Sequence, residues 1–178
     1  SAQLLLHHVQ GGRLLRIRRS VYRVVHFPAG EHEDLVAVWL WSERAGVFSH
    51  QTALSLEGLS DALPAKAHLT LPEKWEGRRF RVPDGVVLHY ADVPKSDRRW
   101  FGAVPVTTPA RSLNDCARDG FSPELLQQGT RQAIERGLVK KSELRDVRKA
   151  LAPYGGFAAQ DVNVDALARR RRRDSNPW

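Results

Sequence analysis

The stretch Gly12-Arg13-Leu14-Leu15-Arg16-Ile17-Arg18-Arg19-Ser20-Val21-Tyr22-Arg23-Val24-Val25 decides how this chain is read. Two runs rich in β-branched and aromatic residues flank the tight connection Arg19-Ser20, the pattern of a β-hairpin. In the first run Arg16 and Arg18 alternate with Leu15 and Ile17, so the charged pair is expected on one face. Upstream, Ser1 can cap a helix of about two turns, with Leu5 and Val9 one turn apart and Gly11-Gly12 as its stop. A short helix, a glycine stop and an Arg-studded hairpin form the second half of a winged helix-turn-helix. In that motif the helix enters the ~12 Å major groove and the wing rides on the phosphates. The first helix of the motif is expected ahead of Ser1, in keeping with a chain that has no methionine and reads as a processed chain or fragment.

Charge supports this reading. Lys and Arg number 28 against 20 Asp and Glu, a net of +8, and 22 of the 28 are Arg. Arg13, Arg16, Arg18, Arg19 and Arg23 precede the first acid, Glu31, and Arg169, Arg170, Arg171, Arg172 and Arg173 form a second run. Without these ten the rest carries 18 basic and 20 acidic residues, a nearly neutral body. Guanidinium pairs bidentately with phosphate, and no basic amphipathic helix accompanies the two patches, so the expected partner is double-stranded DNA rather than a membrane.

Outward from the hairpin, the 178 residues (20.1 kDa) make one ordinary domain or two small ones, with enough apolar material (42%) for a core. The single Cys116 makes no internal disulfide and fits a reducing, cytoplasmic setting. The longest apolar run, Leu35 to Trp41, is far short of the ~20 residues of a membrane helix, and no signal peptide is visible. The fold class expected is α+β: a truncated winged helix at 1–27, a mixed domain at 28–152 and a basic segment at 153–178. Within the mixed domain, helices are expected at Glu31 to Arg44, His50 to Glu57, Pro109 to Arg118, Pro123 to Arg136 and Ser142 to Leu151. Strands are expected at Val47 to Ser49, Ala67 to Leu71, Arg78 to Val82, Val86 to Tyr90 and Trp100 to Val106, in a small, mainly antiparallel sheet. Thr108-Pro109 and Ser122-Pro123 place a hydroxyl before a proline at the first helical position.

These residues resemble the AbiEi-type antitoxins, winged-helix transcriptional regulators of type IV toxin-antitoxin systems. The wing Gly12-Arg13-Leu14 through Arg18-Arg19-Ser20-Val21-Tyr22 matches first. Ser49-His50-Gln51-Thr52-Ala53-Leu54-Ser55-Leu56-Glu57-Gly58-Leu59, His68-Leu69-Thr70-Leu71-Pro72, Gly85-Val86-Val87-Leu88-His89 and Val104-Pro105-Val106-Thr107-Thr108-Pro109-Ala110-Arg111-Ser112-Leu113 follow in the same order, over residues 1–152. The resemblance implies a DNA-binding module that represses its own operon and a C-terminal domain that counters a nucleotidyltransferase-like toxin. Ser20 stands where the family has glycine, so the wing turn is built without the residue that most easily takes positive φ.

The candidate DNA contacts are Gln3 and His7 on the reading helix, Arg13, Arg16, Arg18, Arg19 and Arg23 on the wing, and Arg169, Arg170 and Arg171 in the tail. Gln3 is the residue best suited to bond adenine edges. No catalytic residue, metal ligand or cofactor is assigned. His50, His68 and His89 could be drawn together with Asp34 or Asp115, but their spacing matches no compact zinc signature. Glu31-His32-Glu33-Asp34 is explained by the helix dipole, Ser112, Asp115 and Cys116 lack a histidine on their helix, and Trp39 and Trp41 read as core. The rival classes are a metal-dependent nuclease targeted by a winged helix, and a protein-binding antitoxin that does not grip DNA.

Overall fold

Along His68-Leu69-Thr70-Leu71 and Val104-Pro105-Val106-Thr107, leucine and valine recur at every second residue, so each strand sends its aliphatic set to one face of a sheet. The structure, a computed structural model, describes residues 2–18, 20–28, 30–60 and 64–158. Among them the fold is α+β, with six α-helices, a two-stranded antiparallel sheet and a five-stranded mixed sheet.

Helix α1 (Ala2–Gln10) ends at Gly11 and Gly12, the latter at φ 66°. Strands β1 (Leu14–Arg18) and β2 (Val21–Val24) then form the expected hairpin. Ser20 does take the left-handed conformation, at φ 61°, in place of glycine. One expectation fails: Arg16 lies opposite Tyr22 while Arg18 lies opposite Val21. Ile17 is therefore an extra, bulged residue, and it interrupts the simple alternation that the sequence predicts for Arg16 and Arg18.

Helix α2 (Glu33–Trp41), strand β3 (Val47–Phe48) and helix α3 (His50–Leu56) follow, then strands β4 (Ala67–Leu71), β5 (Val86–Tyr90), β6 (Arg98–Phe101) and β7 (Val104–Thr107). Helices α4 (Pro109–Arg118), α5 (Pro123–Glu135) and α6 (Arg145–Leu151) complete the described chain. The two Pro-initiated helices begin where the hydroxyl-proline pairs predict. The large sheet runs in the order β5-β4-β3-β7-β6. Pairs β4/β5 and β3/β7 are parallel and pairs β3/β4 and β6/β7 antiparallel, so the sheet is mixed rather than mainly antiparallel.

The physical reason lies in the segment expected as a strand at Arg78 to Val82. It joins no ladder; it belongs to the crossover that carries the chain back so that β5 can lie parallel to β4. The run from Trp100 to Val106 is likewise two strands, folded into a hairpin at Gly102 (φ 54°) with Phe101 opposite Val104.

Phe48, Leu69, Leu71, Val104 and Val106 pack with Leu35 and Val38 of α2 in one core. Leu54, Leu59, Leu113, Cys116, Leu126, Ala133, Val147 and Leu151 form a second core among α3 to α6. The N-cap position of helix α6 is Leu144, a side chain with nothing to offer as a cap, and Asn114 of α4 substitutes for it. Its Oδ1 accepts from the backbone N–H of Asp146 (3.0 Å) and Val147 (3.3 Å), while Nδ2 donates to the carbonyl of Glu143 (2.8 Å). Asn114→Ala is expected to lower stability by about 1–2 kcal/mol, read as a lower Tm, and Asn114→Asp, which keeps the acceptor, by less.

Candidate functional site

Two groups of polar residues stand apart from the cores. The first surrounds a cleft of about 820 Å³ between the hairpin, the C-terminal end of α2 and the crossover at 75–84. Arg16 and Arg18 reach it from the hairpin, and Arg78, Arg79 and Arg81 from the crossover, against only Glu43 and Asp84. Arg78, Arg79 and Arg81 are exposed, and Arg78 lies 4.0 Å over the Trp75 ring. The Nε of Arg18 is buried with no hydrogen-bond partner among the described residues. The floor is aromatic: Phe80 packs edge-on against Trp41 and Trp75. Trp41 is thus half-buried at the cleft rather than fully in the core, and Trp39 is half-buried against the exposed Trp100.

The sequence-derived DNA contacts divide. Gln3, His7, Arg13 and Arg16 are exposed. Arg18 is half-buried at the cleft. Arg23 is held by the body: its Nε lies 3.0 Å from Glu33 of α2, and its Nη2 donates to the carbonyl of Phe27. An arginine committed to a carboxylate is a strut between hairpin and helix more than a free phosphate ligand. Arg19, Arg169, Arg170 and Arg171 lie outside the described residues. Arg78, Arg79 and Arg81 are absent from that set because their segment reads as strand; three arginines in four residues were the available signal.

The second group lies on the opposite face of the large sheet. His68 and Thr70 of β4 face the same way, and His89 of β5 lies beside Thr70. His50, the first residue of α3, adds a third imidazole. Its backbone takes the left-handed conformation (φ 52°), and Ser49 at the N-cap position does not cap the helix. Its hydroxyl instead lies 2.8 Å from His50 Nδ1 and 2.7 Å from Thr70 Oγ1. Backbone strain of about 1–3 kcal/mol and a forgone cap are thus tolerated where the ring of His50 is aimed.

His68 Nδ1 lies 2.9 Å from His89 Nε2, and the His50 and His89 rings stack with centroids 3.7 Å apart. Asp119, immediately after α4, completes the group with Oδ2 at 3.2 Å from His50 Nε2 and 3.3 Å from His89 Nδ1. One proton pattern satisfies every contact with all three rings neutral. His50 Nε2–H and His89 Nδ1–H donate to Asp119, His68 Nδ1–H donates to His89 Nε2, and Ser49 Oγ–H donates to His50 Nδ1. Each ring offers one nitrogen, and the three lie within 4.8 Å of one another, a spacing at which one metal ion can be shared.

The other titratable groups weighed from sequence are used up structurally. Asp115 is buried between Arg111 (2.9 Å) and Arg118, and Arg111 also reaches Asp97 (3.1 Å). Ser112 lies 2.6 Å from the Thr107 hydroxyl. Burial pushes the Cys116 thiol up to about 12, which leaves it a poor nucleophile. Asp34 belongs to neither group.

No protein-family model matches the chain, and no curated protein matches it. Among solved structures the fold is similar to that of the RV2827C protein from Mycobacterium tuberculosis, with a TM-score of 0.56 and 14% identity over 85% of this chain. The chain spans 59% of the length of that protein, and the likeness concerns the fold alone. No described helix is long and apolar enough to cross a membrane.

Burial holds the pKa of His50 down at about 3, with the neighbouring imidazoles adding to the shift. Burial and the facing His89 lower His68, and burial lowers His89 against the opposing pull of Asp119. The unfolded chain therefore takes up protons before the folded one. The contribution of His50 to stability is complete above about pH 6.5 and is lost as pH falls toward 3, at up to about 1.4 kcal/mol per pH unit, and His68 and His89 act in the same direction. In EDTA, the denaturation midpoint is expected to fall from pH 7 to pH 5. His50→Asn, which accepts the left-handed backbone, is expected to flatten that dependence.

Proposed function

We propose that this protein is a DNA-binding transcriptional regulator whose hairpin and crossover arginines hold a phosphate backbone in the cleft between them. The observation that carries the reading is the convergence of Arg16, Arg18, Arg78, Arg79 and Arg81 on one cleft. Guanidinium groups from two separate elements can grip successive phosphates while leaving base identity to other contacts. Gln3 and His7, exposed on α1, are the side chains available to touch base edges as in a winged helix. The resemblance to AbiEi-type antitoxins extends the proposal: repression of its own operon and neutralisation of a nucleotidyltransferase-like toxin.

The nuclease reading gains little from this geometry. The histidines point to the sheet face opposite the one carrying Trp41, Trp75 and Phe80, so chemistry at the imidazoles does not reach a strand lying in the cleft.

Binding to promoter DNA is expected to weaken with salt, with a slope of log affinity against log salt of about −3 to −4.5 for three to five neutralised phosphates. Arg79→Ala with Arg81→Ala should make that slope shallower by about 1.8 and weaken all sequences alike. A flat salt response in a gel-shift or fluorescence titration removes the regulator reading. Copurification with a toxin but no DNA shift favours a protein-binding antitoxin instead.

A further inference from the structure

We infer that His50, His68 and His89, with Asp119 beside them, form a binding site for a first-row divalent metal ion, Zn²⁺ by the chemistry of its donors. Three imidazoles and one carboxylate are the nitrogen and oxygen set that Zn²⁺ takes in four-coordinate sites. The spacing fits. Donors around an ion with bonds of ~2.0 Å stand about 3.3 Å apart in a tetrahedron; one nitrogen from each ring lies within 4.8 Å of the others, His68 Nδ1 is 2.9 Å from His89 Nε2, and Asp119 Oδ2 is 3.2 and 3.3 Å from His50 Nε2 and His89 Nδ1.

The surroundings are those of a ligand set as well. When an ion binds, the Ser49–His50 hydrogen bond reverses, so that Nδ1–H donates to Ser49 Oγ, Ser49 Oγ–H donates to Thr70 Oγ1, and Nε2 is left as a free lone pair for the metal, the second hydrogen bond fixing the metal-binding tautomer. Ser49 is itself held by Thr70, so the orientation rests on two buried hydroxyls. The three rings are neutral in the arrangement described above, as ligation requires. Access exists from one side, because Asp119 is half exposed while His50 is buried.

The ligands come from α3, β4, β5 and the end of α4, which are far apart in sequence. A bound ion thus ties the sheet to the helical layer on the face away from the cationic cleft. The site is independent of the DNA-binding reading, and its test does not use DNA.

The test is Zn²⁺ titration of the EDTA-stripped, dialysed full chain by calorimetry, with Co²⁺ absorption in the visible as a probe of coordination. One ion per chain is expected, with intense tetrahedral d–d bands for Co²⁺. His68→Asn and His89→Asn are each expected to weaken binding at least tenfold with far-UV circular dichroism unchanged. Asp119→Asn should weaken it on the order of tenfold. Because a histidine variant can fail to fold, the unmutated chain is also melted with and without Zn²⁺, and a rise in Tm is expected. His7→Ala with His8→Ala, which removes the adjacent histidine pair on α1, should change none of this. Absence of stoichiometric binding at micromolar Zn²⁺, or binding that survives the loss of His68 and His89 but not of His7 and His8, overturns the proposal.

Discussion

The architecture depends on the two-residue period of the central strands. Phe48, Leu69, Leu71, Val104 and Val106 all leave the sheet on one side, so Ser49, His68, Thr70, His89 and Thr107 must leave it on the other. That second face is covered by helices, and a buried polar group without a partner costs about 1–3 kcal/mol. Every member of the row is accordingly matched: Ser49 with Thr70, Thr107 with Ser112 of α4, and the backbone N–H of His68 with Thr52 of α3. The polar row thereby dictates where α3 and α4 sit, and a shift of either helix would leave hydroxyls stranded. The aliphatic core supplies bulk stability, while this row supplies registration between layers.

The same division separates two kinds of chemistry. Aromatic and cationic side chains collect at the edge of the aliphatic face, where α2, the hairpin and the crossover meet around Trp41, Trp75 and Phe80. Imidazoles and a carboxylate collect on the hydroxyl-lined face. Long-range attraction for a polyanion comes from the first, where five guanidinium groups outnumber two acids. The second is nearly self-compensated and short in range, since each ring is already engaged with a neighbour.

Elements with local chemical punctuation were legible from sequence. Pro109 and Pro123 at first helical positions, the Gly11-Gly12 stop and the alternation in 67–71 each act within a few residues, and the structure follows them. What escaped was set by contacts distant along the chain. Arg78 to Val82 has strand composition but no strand beside it to pair with, because β5 takes the neighbouring position on β4. Gly102 sits inside an apolar run whose splitting depends on the β6/β7 pairing. From sequence the three histidines can be drawn together, but with Asp34 or Asp115; they lie 18 and 21 residues apart, the parallel register of β4 with β5 brings two of them together, and the carboxylate beside them is Asp119. One hint was available locally: His68-Leu69-Thr70-Leu71 alternates so cleanly that a histidine must share its face with a threonine.

The bulge at Ile17 has a consequence for how the molecule approaches a partner. A flat ribbon would present its charge on one surface and be neutralised once that surface was covered. Here the bulge sets Arg16 and Arg18 at different angles, and both border the cleft that Arg78, Arg79 and Arg81 enter from the other side. A strand lying in the cleft therefore meets guanidinium groups at staggered angles rather than a single flat row.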